Sequence, residues 1–297
     1  ALGGRRRRRA RRAAMRAAGT VVDVVDVELV EPEDSGSSAR AGEAAVGSGG
    51  GIVLAIDAVL EKVRREGVPV RSQVMEYAAE PRRSPLGRAC SEVVPEMEGR
   101  RVPEAFIQEL RSRGVKQDKA EVGAAVLCLM LGGVDEAHNL VTPHSWASPT
   151  PFGGPPKFGS PVKQEAAYAH AVVHRMEGFN PGEFGDGWNN SGYWLSNAFP
   201  TGSHAIFPKL LEEARGFAVG TDHGSREAQA ALRGMGTQWS PHRFNQLCSD
   251  ALECEDEELL SFCRAVQGRE LALLFEHLAK CEDDDDGSSA ADVEVVA

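Results

Sequence analysis

The sequence predicts a mostly α fold: a compact helical domain with two long ordered loops rich in Gly, Pro and aromatic residues, between disordered termini. Three observations carry this. Apolar residues recur at helical spacing in successive segments between residues 51 and 280. Apart from a short valine run near residue 21, nothing alternates with the period of a strand. Two stretches, 142–161 and 178–203, hold too much Gly and Pro for regular structure, yet carry the aromatic residues that pin a loop against a core.

Taken in order, residues 1–51 read as a disordered basic arm and a Gly/Ser-rich linker. The first sixteen residues hold eight arginines and no acid, and EPEDSGSSARAGEAAVGSGGG cannot bury enough apolar area to offset the entropy of ordering it. Residues 52–102 read as an N-terminal helix and a connector. GIVLAIDAVLEKVRREG has helical periodicity and a Gly stop, whereas Val68 to Arg101 is broken by prolines around one short helix at Gln73 to Ala79.

Residues 103–281 form the predicted core domain. PEAFIQELRSRG opens with Pro at a helix start and places Phe106, Ile107 and Leu110 on one face. KAEVGAAVLCLMLG is apolar around its circumference, the mark of a helix buried on several sides. DEAHNLV adds a last helical turn before the first loop, which has six prolines in twenty residues. The helical pattern resumes at Val162 and closes at Gly178, ahead of the second loop. Four more helices follow in HAIFPKLLEEARGFA, SREAQAALRGMG, SPHRFNQLCSDAL and the long segment 255–280, with Ser240 as an N-cap ahead of Pro241 at the first helical position. Residues 282–297 read as a disordered acidic tail.

Charge bounds the function. The net charge is −11, and without the eight arginines of the first sixteen residues it is −19. A core this acidic repels phosphate, which excludes general nucleic-acid binding by the folded part. No run is long and apolar enough to span a bilayer, so a soluble protein is expected. Cys90, Cys128, Cys248, Cys254, Cys263 and Cys281 contain no C-x-x-C pair, which favours reduced thiols in an intracellular, cytoplasmic protein. The Arg- and Ala-rich start is also similar to an organellar transit peptide, which keeps organellar targeting open. There is no phosphate loop, no G-x-S-x-G elbow and no H-E-x-x-H motif, since Ala171 stands where the glutamate would be.

The candidate site lies in AYAHAVVHRMEG, residues 167–178. Separations of four and seven put His170, His174 and Glu177 on one face of a helix whose other positions are mostly small or apolar. Arg175 points away, toward Tyr168 and Val172, to anchor a neighbouring acid or a backbone carbonyl. Trp188, Asn189, Asn190, Tyr193 and Trp194 crowd into seven residues of the second loop, followed by His204. Three readings stay open. In the first, the loops close over this helix to form a polar pocket for a small molecule, lined by His170, His174, Glu177, Asn190, Tyr193, Trp194 and His204. In the second, His170 and His174 bind a divalent metal completed by His204, with His144 or His138 as alternatives, in a metal-dependent enzyme. In the third there is no cofactor: the histidines bond loop backbone, and the protein is a non-enzymatic scaffold that makes contacts through its charged tails.

The patterns AHNLVTP, SW, FGGPP, Y-x-H-A-x-x-H-R-x-E-G, N-x-x-Y-W and H-x-x-F-P stand here at Ala137 to Pro143, Ser145-Trp146, Phe152 to Pro156, Tyr168 to Gly178, Asn190 to Trp194 and His204 to Pro208. Over roughly residues 103–215 the chain thereby resembles an uncharacterised, mostly helical protein family to which no activity is attached. The resemblance implies that these polar and aromatic residues belong to one domain, and it names no reaction.

Overall fold

A computed structural model describes residues 50–71, 85–97, 101–182, 185–220 and 222–280, and among these described residues eleven α-helices, one 3-10 turn and a ribbon of two two-residue strands make up the regular structure. The basic arm and valine run up to residue 49, the short helix expected at Gln73 to Ala79, Cys281 and the acidic tail lie outside these residues.

The helices are α1 (Gly50–Glu66), α2 (Pro85–Val93), α3 (Val102–Ser112), α4 (Gln117–Met130), α5 (Val134–Ser145), α6 (Lys163–Glu177), α7 (Gly187–Ala198), α8 (Phe207–Val219), α9 (Arg226–Met235), α10 (Pro241–Cys254) and α11 (Glu257–Leu278). Strands β1 (Pro181–Gly182) and β2 (Gly185–Asp186) pair antiparallel, Pro181 opposite Asp186. Helix α4 is central: every residue from Val122 to Leu131 is buried, and α3, α5, α6 and α11 pack around it. That is the outcome its unbroken apolar circumference predicts. Helix α1 lays Ala55, Ile56, Val59 and Val63 into the same core against α11, where the Val68 N–H donates to the Arg264 carbonyl at 3.0 Å.

Most expected boundaries match to within two or three residues, including the Ser240 cap, whose Oγ accepts from the Arg243 N–H. Three helices differ. Helix α2 lies inside the expected connector, because Pro85 stands at its first position, where a missing N–H costs nothing. Leu86, Cys90, Val94 and Met97 then bury one face of it and of the following 3-10 turn, Pro95–Met97.

Helix α5 runs through Pro143 to Ser145, where the sequence predicted loop. A proline there leaves the Asn139 carbonyl without its helical donor. Gly153 of the following loop sits directly on that oxygen, so close that a Cβ would stand 1.8 Å away. The third difference is α7, which occupies the middle of the expected second loop. Its Gly, Asn and Ser content gives poor intrinsic propensity, and packing supplies the stability instead. Trp188, Ser191, Trp194, Leu195 and Ala198 bury one face against α6 and α10, and Asp186 caps the start by accepting from the Asn189 N–H at 2.9 Å.

Helices α6 and α7 approach closely. A Cβ on Gly187 would lie 2.3 Å from the His174 carbonyl, so only glycine permits this crossing. Behind α6, the fully buried Arg175 guanidinium pairs with the buried Glu270 carboxylate of α11. Arg175 also donates to Asn245 and Gln267 at 3.3 Å and lies 4.9 Å from the Phe244 ring centre, while the Tyr168 hydroxyl donates to Glu270. The sequence asked for an anchoring acid, and Glu270 is that acid. The network locks the rotation of α6, and with it the face that carries the histidines.

Candidate functional site

Facing α5, the rings of His170 and His174 lie nearly parallel, 4.9 Å apart between centres, and His138 of α5 meets them edge-on at 4.7 and 5.6 Å. One nitrogen of each of His138, His170 and His174 lies within 4.8 Å of the others. His170 and His174 are one turn apart on α6, and the small Ala residues beside them let α5 come close enough to bring in His138.

Hydrogen bonding fixes which nitrogen of each ring carries the lone pair. The Ser145 hydroxyl donates to the Val141 carbonyl at 2.9 Å, so its oxygen accepts from His170 Nδ1 at 3.0 Å. That leaves the lone pair of His170 on Nε2. His174 Nδ1 donates to Glu177 Oε2 at 2.6 Å, so its lone pair too is on Nε2, where the Asn190 amide approaches to 3.1 Å. No hydrogen bond of the His138 ring is found among the described residues. The outer nitrogens of the His170 and His174 imidazoles are thus held by a hydroxyl and a carboxylate, and of the inner nitrogens that of His174 accepts from the Asn190 amide while that of His170 has no hydrogen-bond partner among the described residues.

The electrostatics agree. Burial, reinforced by His174, brings His138 down to about 4 against a weaker opposing pull from Glu177. Burial, with His174 and His138 adding to it, pushes His170 well below the ordinary histidine range. Both rings are therefore neutral at physiological pH, the form that ligates a cation. Asp135 at the start of α5 is raised by burial and by the nearby Glu177 charge.

Aromatic side chains enclose the cluster. Trp194 stacks on His170 at 3.8 Å and 17°, and Trp146 and Tyr193 pack edge-on against Trp194. Half-exposed Phe152, on the loop anchored by Gly153, meets the His138 ring edge-on at 4.9 Å.

The structure thus brings together His170, His174, Glu177, Asn190 and Trp194, with Tyr193 half-exposed at the rim. It places His204 elsewhere, beside Glu165 and His277. The histidines bond side chains rather than loop backbone. Sequence reasoning offered His138 only as an alternative and missed Ser145 and Phe152. A helix carried through Pro143 would have put His138 and Ser145, seven residues apart, on one face.

Two other groupings hold three possible ligands each, Glu165/His204/His277 and Asp118/Glu121/His144. The latter already contains a cation: Lys157 Nζ lies 2.5 Å from Glu121 and 3.5 Å from Asp118, and both His144 nitrogens are engaged, by Ser160 and Glu121. It is an ion-pair cluster. Compared with protein-family models, curated proteins and solved structures, the chain matches none.

Proposed function

We propose that the protein binds a divalent transition metal ion through His138, His170 and His174, with Glu177 and Ser145 orienting two of the three imidazoles. The observation that carries this reading is the convergence of three imidazole nitrogens within 4.8 Å across two packed helices. Ligating nitrogens around a tetrahedral zinc ion, at about 2.0–2.1 Å from it, stand roughly 3.3 Å apart, so small side-chain rotations close the site. An all-imidazole set without thiolate suits zinc, iron, copper or nickel rather than magnesium or calcium.

Three protein ligands leave a coordination position open, and an ion held this way acts as a Lewis acid toward water or a small oxygen ligand. The Asn190 amide, which now donates to His174 Nε2, yields that nitrogen to the ion and is left as the polar neighbour of the site, and Phe152 and Tyr193 supply apolar rim. The small-molecule pocket and the metal centre are in this reading one site. The test is cobalt(II) titration of the full chain followed by azide. A visible spectrum that forms with the first equivalent in wild type, is lost at that equivalent in His138→Ala and shifts with azide supports an ion with an exchangeable position. A spectrum unchanged by His138→Ala contradicts the three-histidine site, and one unchanged by azide contradicts the open position.

A further inference from the structure

A second cluster of possible ligands lies at the other end of α6. Glu165, on the first turn of α6, His204, in the turn before α8, and His277, near the end of α11, each present a ligand atom within 4.8 Å of the other two. His204 Nε2 is 3.7 Å from Glu165 Oε1, and His277 Nε2 is 3.3 Å from the same oxygen. The first distance is too long for a hydrogen bond. His204 is the informative member: its side chain is 3% exposed, and Nε2 is buried with no acceptor at hydrogen-bond distance, only the long ion-pair contact to Glu165. A polar nitrogen left so costs on the order of 1–3 kcal/mol, and folded proteins rarely keep one without a use. It is walled by Tyr168, Phe199 and Phe207, so nothing but the Glu165–His277 side can satisfy it.

We infer that Glu165, His204 and His277 form a second divalent-metal site, with two imidazoles and one carboxylate as ligands. That donor set suits ferrous iron or zinc and leaves positions open. His277, one-third exposed, gives the ion its way in. The site is the weaker of the two. His204 Nδ1 accepts from the Ile206 N–H at 3.3 Å, which puts the ring proton on Nε2. Metal binding therefore displaces the Nε2 proton, and with that proton moved to Nδ1 the ring must turn away from the Ile206 N–H, since two donors cannot face each other. In the three-histidine site the outer nitrogens of His170 and His174 already face acceptors. A second-shell partner typically strengthens a metal site, so the second ion binds less tightly than the first.

The experiment is cobalt(II) titration of the chelator-stripped full chain with metal counted by elemental analysis. Wild type, Glu165→Gln, His277→Ala and His138→Ala are compared, each checked for native circular dichroism. His277→Ala is placed at the accessible ligand, where folding is least at risk. Two ions in wild type, with the weaker one lost or weakened at least tenfold in both Glu165→Gln and His277→Ala, is the expected result. Metal binding in Glu165→Gln and His277→Ala identical to wild type overturns the second site. The two proposals fail separately: one wild-type ion that disappears with His277→Ala and survives His138→Ala would uphold this site and sink the first.

Discussion

Replacing Glu270 by Gln tests the buried network that holds α6. Both Glu270 and Arg175 are fully buried, and burial would lower the Arg175 pKa, but Glu270 holds it above the ordinary value, so the guanidinium stays charged. Gln keeps the volume and one acceptor but removes the countercharge, which leaves an uncompensated cation with only Asn245, Gln267 and the Phe244 ring around it. Breaking a buried pair from one side costs about 3–5 kcal/mol, and the retained acceptor puts this change near the lower end, about 3 kcal/mol. At 2–4 °C per kcal/mol for a domain of this size, Tm falls by roughly 6–12 °C. Replacing both partners, Arg175→Met with Glu270→Leu, removes the charges together and recovers the charge-burial part of the loss, and the Tyr168 hydroxyl left without its acceptor keeps the double variant about 1–3 kcal/mol below wild type. Urea unfolding followed by tryptophan fluorescence measures all three proteins. A Glu270→Gln midpoint equivalent to less than about 1 kcal/mol of loss would show that the pair is not the buried, mutually dependent unit described above.

Other consequences are as definite. Gly187→Ala places a methyl 2.3 Å from the His174 carbonyl, pushes α7 off α6 and costs about 1–3 kcal/mol, and it loosens Asn190 from His174; thermal melting and metal titration of the same variant read both effects. Ser145→Ala frees His170 Nδ1 from its acceptor and weakens metal binding roughly 10- to 100-fold, with little change in the far-ultraviolet spectrum. Burial alone would raise Glu121, but the bonds from His144, Gln117 and Lys157 win and hold it at about 2. Because the folded pKa lies below the unfolded one, its contribution to stability is complete above about pH 4.3 and is lost as pH falls toward 2. The acid limb of a stability–pH profile should therefore flatten in Glu121→Gln, and an unchanged limb would refute the assignment.

How far the sequence reached depended on which physical signal each element used. Helices α3, α4, α6 and α10 announce themselves through periodicity, Gly stops and a Ser-Pro start, and the structure has them where those signals lie. Helix α7 was illegible by propensity, because its stability comes from burying Trp188, Trp194 and Leu195 on neighbours that the sequence does not name. Pro143 misled for the opposite reason: the helix continues through it, with Gly153, ten residues on, packed against the Asn139 carbonyl that the proline leaves without its helical donor. That single misreading hid the helical face shared by His138 and Ser145. The separation of His204 from His170 could not be read at all, since it depends on where α8 and α11 lie against α6.

X-ray absorption at the metal edge of the full chain loaded with one equivalent of zinc tests the central claim most directly. Three imidazole nitrogens at about 2.0–2.1 Å, with one imidazole lost in His138→Ala, is the predicted spectrum. A chain that retains no zinc after desalting, or a wild-type shell with fewer than three imidazoles, would contradict it.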